Sequence, residues 1–142
     1  MTNLSKIGAI AFGLWGALHI VGAAVILAAV LGGGAAAGYA LYGYDGVELP
    51  AVTGGLLGYF AYLIGLFGIG VTYVAIRFSW SNSETGLAVN TALTVAVDVG
   101  LILFLMLPGY VSLADAMPGF VLLILGVIMG GIACRMESAH GK

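Results

Sequence analysis

Charged residues are scarce in this sequence: of 142 residues, four are Lys or Arg and six are Asp or Glu. They make up 7% of the chain, whereas a soluble domain averages roughly 25%. Hydrophobic residues make up 62% of the chain. A soluble domain of this length could not bury them all, because much of its surface would have to be covered by polar residues. The net charge of −2 offers no basic patch for a phosphate backbone. Soluble enzymes and nucleic-acid modules are therefore excluded, and the composition predicts an integral membrane protein.

Cysteine and the common catalytic motifs are also scarce or absent. Cys134 is the one cysteine, so no disulfide and no Cys-x-x-Cys redox pair can form within a chain. No phosphate-loop, nucleophile-elbow or zinc-protease motif occurs, which leaves nucleotide hydrolysis and familiar hydrolase chemistry without support. A metal site would need several converging ligands, and the apolar segments offer only His19 and Asp98, so we predict no metal centre.

Long apolar runs, by contrast, are abundant. The charges leave uncharged stretches at 7–44, 49–76, 85–114 (interrupted once by Asp98) and 116–134. A spanning helix needs ~20 apolar residues, so each stretch holds one span. The runs do not alternate as the strands of a membrane barrel would. We therefore predict an all-α integral membrane protein, a four-transmembrane-helix bundle forming one domain over 1–142, with helices at about 6–32, 53–78, 85–107 and 117–136.

Residues at the span boundaries agree with this division. Ser81 and Glu84 have the spacing of a capping box before the third helix. Pro108 is expected to end that helix, and Pro118 to lie at the start of the fourth.

The distribution of cations predicts the orientation. All four lie on one side of a four-span topology, and the loops on the other side carry acidic residues only. By the positive-inside rule, both termini are expected in the cytoplasm, in a multi-pass protein of the inner (plasma) membrane. The cations are Lys6, Arg77, Arg135 and Lys142.

The outer loop 33–52 is rich in glycine and carries Tyr39, Tyr42 and Tyr44. Tyrosine favours the headgroup level, so one interpretation is an interfacial aromatic belt on a flexible loop. The alternative is a lid or short hairpin, with its tip at 42–46, over an outward-facing cavity.

Glycine spacing predicts close helix packing. Gly54/Gly58 and Gly126/Gly130 are pairs of small residues four apart, which let helices approach closely in lipid. Packing within the chain is the favoured interpretation; self-association or docking to another subunit is the alternative. The expected partners are the lipid bilayer and either further copies of the chain, in a homo-oligomer, or other membrane subunits.

Polar side chains at membrane depth are the strongest functional signal, because they are costly there and usually face a bundle interior. Asp98 lies ~18 Å from the cytoplasmic edge, where an aspartate costs ~2.5–3.5 kcal/mol unless it is paired or neutral. Asn90 and Thr94 precede it at intervals of four residues, so the three share one helical face.

Two further residues are predicted at similar depth on other helices. His19 lies ~20 Å and Tyr62 ~22 Å from the same edge, and Trp15 is one turn from His19. We predict a ligand or proton site in which Asp98 pairs with His19. Tyr62, Thr94 and Asn90 complete the polar network of this site, and Trp15 forms its wall.

The predicted function follows from this site. An Asp–His pair near the membrane centre can hold or pass a proton, so we expect a small membrane protein that binds a small or lipophilic ligand or moves a solute or proton. A purely structural interpretation is that the same bonds only fix helix packing. Two more function classes stay open: a non-catalytic accessory subunit of a larger membrane complex, and a membrane enzyme acting on a quinone or another lipid. Catalytic residues are not predicted.

No cofactor is predicted. A haem held by two histidines needs two axial ligands, and His19 is the only histidine within a span. A haem that His19 shares with a methionine or a second subunit, or a pigment on His19, stays open as a minor alternative.

The outline of four short helices with an interior polar pair resembles the DoxX-like proteins and, more loosely, the small multidrug transporters. The stretch 15–19, Trp-Gly-Ala-Leu-His, resembles a family signature. The small multidrug transporters place an essential glutamate in their first helix, whereas this first helix has His19 and no carboxylate. The resemblance is one of size and topology, and no functional residue is carried over.

Overall fold

The computed structural model describes residues 3–43 and 50–140, and within them every regular element is helical. Among these residues, four helices are long and apolar enough to cross a membrane, which confirms the predicted all-α class and agrees with four predicted spans. Their bounds are α1 Asn3–Ala40, α2 Ala51–Arg77, α3 Glu84–Leu101 and α4 Leu113–His140.

Helix α1 is longer than the predicted span 6–32. Gly34 kinks the chain with a positive φ of 71°, and the helix then resumes and ends at Ala40. Glycine adopts a positive φ without steric penalty, and the alanines that follow it are strong helix formers. The predicted loop 33–52 is correspondingly shorter and turns at Gly43, where φ is 81°. The rest of the predicted hairpin tip, 44–46, lies outside the described residues.

The cap of α3 differs from the predicted one. Ser81 lies in a 3₁₀ turn, Ser79–Ser81, that follows α2. Ser83 caps α3 instead, because its hydroxyl accepts a hydrogen bond from the Gly86 N–H at 3.2 Å. The capping-box spacing therefore marked the correct boundary but the wrong serine.

Asn82 ties this turn to the end of α4. Its φ is 61°, and its side-chain amide donates to the Ala133 carbonyl at 3.2 Å and to the Glu137 carboxylate. Lys6 of α1 lies over the Trp80 ring, 5.8 Å from its centroid. We call this the terminal end of the bundle, since it holds the start of α1 and the end of α4.

The opposite end, which we call the loop end, holds the turn between α3 and α4. Here α3 continues as a π-helical turn, Ile102–Met106, of which no residue is buried. Helix α4 begins at Leu113, before the predicted 117, because the Ser112 hydroxyl accepts a hydrogen bond from the Asp115 N–H at 3.2 Å. Pro118 therefore lies inside α4.

The four helices form a ring, in which α1 and α3 each pack against both α2 and α4. Phe12, Trp15 and Val71 are the large side chains at its buried centre. Lipid supplies no hydrophobic force between helices, so close backbone approach has to supply the packing. The buried residues of α4, within its described part, are all alanine or glycine: Ala116, Gly119, Gly126 and Ala133.

Both predicted glycine pairs pack within the chain. A Cβ added to Gly126 would lie 3.0 Å from the Phe12 ring, and one added to Gly8 would lie 2.8 Å from the Gly130 backbone nitrogen. A Cβ added to Gly54 would lie 3.2 Å from the Ala35 backbone nitrogen of α1, and one added to Gly58 would lie 3.8 Å from the Val30 side chain. These contacts use the glycine faces that docking to another subunit would require.

The outer surface of the ring is apolar. Large hydrophobic side chains are exposed on every helix, in numbers that are unusual for a soluble monomer. This surface is compatible with a helical bundle in a membrane. Examples are Leu14, Leu66, Phe104 and Ile128.

We expect Gly16→Ala to destabilise the bundle by ~1–3 kcal/mol, because overpacking at a backbone contact cannot be relieved by a rotamer change. A Cβ at Gly16 would lie 2.6 Å from the Gly68 carbonyl oxygen of α2, whereas nothing lies within 4 Å of one at Gly13. The matched variant Gly13→Ala should be neutral, or stabilising by ~0.5–1 kcal/mol through helix propensity. The free energy of unfolding in mixed micelles measures both, and equal effects would contradict the packing described.

We expect Asn82→Ala to be less stable than Asn82→Gly by ~1–2 kcal/mol, the cost of a left-handed backbone for a residue with a Cβ. Both variants lose the amide bonds to α4, so their difference isolates the backbone term. Thermal unfolding in detergent provides the comparison. Equal stability of the two variants would show that the turn relaxes to a negative φ.

Candidate functional site

The buried face of α3 carries the predicted polar stripe. Gly86, Asn90, Thr94 and Asp98 are the buried residues of this helix, and they recur every four positions. Residues four apart lie on one side of an α-helix, so the stripe runs from the terminal end of the bundle into its interior. Its three polar members have different surroundings.

Asn90 fastens α3 to α2. Its side chain is fully buried and lies 3.1 Å from the Ser79 hydroxyl oxygen. In the amide orientation that satisfies both polar atoms, Nδ2 donates to the Val71 carbonyl and Oδ1 accepts from the Ala75 N–H, each at 3.2 Å. Asn90 is therefore a structural clamp with both polar atoms bonded.

Thr94 is satisfied within its own helix. Its hydroxyl donates to the Asn90 carbonyl at 2.8 Å and lies 3.2 Å from the Thr91 carbonyl. Back-bonding of this kind is a common solution for a buried threonine. Thr94 needs no partner on another helix.

Asp98 differs from both. It is 3% exposed, and neither carboxylate oxygen has a hydrogen-bond partner among the described residues. The indole N–H of Trp15 is the side-chain donor that acts on this carboxyl group. The indole N–H does not form a hydrogen bond with the carboxyl group, so Trp15 Nε1 is also without a partner in the described part of the chain. A donor and two acceptors are thus buried close together without bonding.

Trp15 contacts both Asp98 and His19. Its ring is fully buried and stacks on the His19 imidazole, with centroids 3.6 Å apart and planes inclined by 22°. Gly119 of α4 lies against Nε1, since a Cβ there would be 3.8 Å away. The indole, which α1 carries, therefore lies between α3 and α4, and Gly119 beside it has no side chain.

The predicted pair between His19 and Asp98 is not formed. His19 is half-buried, and its Nδ1 lies 2.8 Å from the Trp15 carbonyl oxygen one turn earlier in α1. A carbonyl only accepts, so Nδ1 carries the proton and Nε2 has the free lone pair. The local carbonyl occupies the histidine donor, and the Trp15 ring occupies the space beside the imidazole.

Tyr62 does not join the other predicted site residues. Its side chain is 53% exposed, whereas its neighbour Ala61 is fully buried. The rise along a helix gives the depth of Tyr62 but not its direction, and successive residues point about 100° apart. Tyr59 and Tyr73 are exposed as well, at 62% and 58%.

Two residues near the stripe were not predicted from the sequence. Ser79 holds Asn90 from the turn after α2, and Gly119 makes room beside the Trp15 nitrogen. Sequence analysis places Ser79 in a polar turn and Gly119 at a helix start, without relating either to α3 or α1. Their role depends on contacts between helices distant in sequence.

Apart from the interior site, the described residues form an open cleft at the terminal end. The residues lining the cleft are Ser81, Asn82, Glu84, Cys134, Glu137 and Ser138.

The interior around Asp98 and Trp15 is closely packed, since these side chains are 3% and 0% exposed. No group of three His, Cys, Asp or Glu side chains in the described part of the chain is arranged to hold a metal.

We expect Asn90→Ala to destabilise the bundle by ~1–3 kcal/mol, because it removes the buried hydrogen bonds between α3 and α2 and the bond to the Ser79 hydroxyl. Tyr62→Phe removes a hydroxyl at an exposed position and should leave stability unchanged. Unfolding in mixed micelles compares the two variants. A large loss in Tyr62→Phe would indicate that Tyr62 has an interior role after all.

Comparison with known proteins does not place the chain in a family. No protein-family model, no curated protein and no solved structure matches it.

Proposed function

We propose that this chain is a membrane protein that binds and releases a proton at Asp98, inside its helical bundle. The observation that carries the proposal is the buried carboxyl group of Asp98, which has no hydrogen-bond partner among the described residues. Ionisable groups at membrane depth are typical of proton relays and transport pathways, because they are too costly to be kept without a function.

A purely structural role would require bonds that Asp98 does not make. Asn90 is bonded to α2 through both of its polar atoms, and Thr94 is bonded within α3. Polar contacts between membrane helices contribute only about 0.6 kcal/mol each, and only when formed. The clamp role therefore belongs to Asn90, while Asp98 is left as the chemically active member of the stripe.

The surroundings of Asp98 support two charge states. As a carboxylate, it gains from the Trp15 N–H, the donor that acts on it. As a carboxylic acid, it is neutral and avoids the cost of a buried charge. A small rotation of either side chain would form or break the bond between them, so gain and loss of a proton can change how α1 contacts α3.

The close packing favours a proton over a larger solute. Asp98 and Trp15 are almost completely enclosed, which leaves no room beside the carboxyl group for a bulky ligand. Under this proposal, the terminal end, which carries Lys6, Arg77 and Arg135, faces the cytoplasm, in line with the positive-inside rule.

The accessory-subunit hypothesis has less support. Docking to another subunit is the alternative interpretation of the Gly126/Gly130 pair in α4. Gly126 packs on Phe12, and Gly130 packs on Gly8 within the same chain.

We expect the protein in nanodiscs to show a carboxylic acid C=O infrared band that appears and disappears with pH and is absent in Asp98→Asn. The matched control is Asp115→Asn, since Asp115 is exposed at the loop end and its carboxylate accepts a hydrogen bond from the Ser112 hydroxyl at 2.6 Å. Asp98→Asn should be at least as stable as the wild type, because it removes a buried charge and no hydrogen bond. A band unaffected by Asp98→Asn would contradict proton binding, and marked destabilisation would favour a clamp.

A further inference from the structure

We infer that His19 is the group through which protons reach Asp98, and that they arrive from the loop end of the bundle. This inference rests on the proposed proton binding at Asp98. It assigns the direction of access and a second proton-exchanging residue.

The route from the terminal end is closed by bonded and apolar groups. Asn90 and Thr94 are both 0% exposed. The Asn90 amide donates to the Val71 carbonyl, and the Thr94 hydroxyl donates to the Asn90 carbonyl. Phe12 and Val71 fill the same level of the bundle and are also 0% exposed. A proton moving along this side of α3 would have to break these bonds inside a closely packed layer.

Burial declines in the other direction. Asp98 is the last buried residue of α3, and none is buried in the π-helical turn that follows. Gly119 adds no side chain above the Trp15 nitrogen. The enclosure of Asp98 therefore depends on the Trp15 ring more than on a thick layer of side chains.

His19 lies on the path from the loop end. It is one turn beyond Trp15 in α1 and half-buried, and its Nε2 has no hydrogen-bond partner among the described residues. The Asp98 oxygens are fully buried without a hydrogen-bond partner, whereas His19 Nε2 is not fully buried. Nε2 is also the basic nitrogen, because Nδ1 is held by the Trp15 carbonyl.

Among the described residues, no other charged group competes for this role. The side chain that acts on Asp98 is that of Trp15, and the group bonded to His19 is the Trp15 carbonyl. Neither α2 nor α4 contributes a charged side chain to either residue in this part of the chain.

Proton transfer between the two residues conserves atoms and charge. A hydronium ion at the loop end gives its proton to Nε2, leaving water and an imidazolium. When the Trp15 indole swings aside, the Nε2–H bond breaks and an O–H bond forms on the Asp98 carboxylate. Imidazolium and carboxylate thereby become neutral imidazole and carboxylic acid. Trp15 acts as the gate, since its ring contacts the imidazole and its N–H acts on the carboxyl group.

The test is the rate at which the Asp98 acid exchanges hydrogen for deuterium in nanodiscs, followed by the infrared band that Asp98→Asn removes. We expect His19→Gln to slow exchange about 100-fold, within the range for loss of a positioned acid–base group. The matched control is His140→Gln at the end of α4, which should leave the rate unchanged. Thr94→Val alters the opposite route and reports whether protons arrive from the terminal end. As a second variant, His19→Ala should exchange slowly and recover on addition of free imidazole.

The outcomes separate this inference from the proposed function. An unchanged rate in His19→Gln, or no rescue of His19→Ala by imidazole, would overturn the role of His19. Slower exchange in Thr94→Val would place access at the terminal end instead. If the wild type lacks an Asp98 acid band at every pH, the proposed function itself fails, and this is seen before any rate is measured.

Discussion

Close contact between the backbone of α1 and its two neighbours is the constraint on which the rest of the structure depends. The Gly16–Gly68 contact brings α1 against α2, and the Gly8–Gly130 contact brings it against α4. In lipid, helices gain little from apolar burial, so such contacts have to be short enough for extensive dispersion attraction. They leave room for few large side chains in the centre, where Phe12 and Trp15 of α1 fill most of the space.

This narrow centre explains why the polar stripe of α3 has divided roles. At the level of Asn90, the turn after α2 supplies a hydroxyl, and α2 supplies a carbonyl and an N–H, so a buried amide can be fully bonded. At the level of Asp98, the side-chain donor is the Trp15 indole, and Gly119 lies beside the nitrogen of that indole. The same helical face therefore holds a structural residue at one depth and an unbonded carboxyl group two turns further along.

The sequence predicts the position of residues along the helices well and the rotation of the helices poorly. Charge spacing predicts the four apolar helices, and the interval of four residues predicts that Asn90, Thr94 and Asp98 share one face. Neither specifies how a helix is rotated against its neighbours, which depends on glycine contacts such as Gly16 with Gly68. For this reason, Tyr62 was assigned to the interior although it is exposed, and the role of Gly119 was missed. Helix α1 continues past Gly34 through a positive φ at this glycine. Glycine permits such an angle but does not require it, so the sequence does not predict the extension.

Under the proposed function, the missing hydrogen bond between Asp98 and Trp15 belongs to the mechanism of proton binding. The Trp15 N–H and both Asp98 oxygens are buried without hydrogen-bond partners among the described residues, so Asp98 has no such bond to break when it gains or loses a proton. Burial without a bond is costly, and either a proton on Asp98 or rotation towards the indole would lower that cost. Since Trp15 also stacks on His19, movement of one ring changes the surroundings of both ionisable groups. If Asp98 and His19 exchange protons as proposed, the aromatic side chain between them would couple proton movement to the contact of Trp15 in α1 with Asp98 in α3.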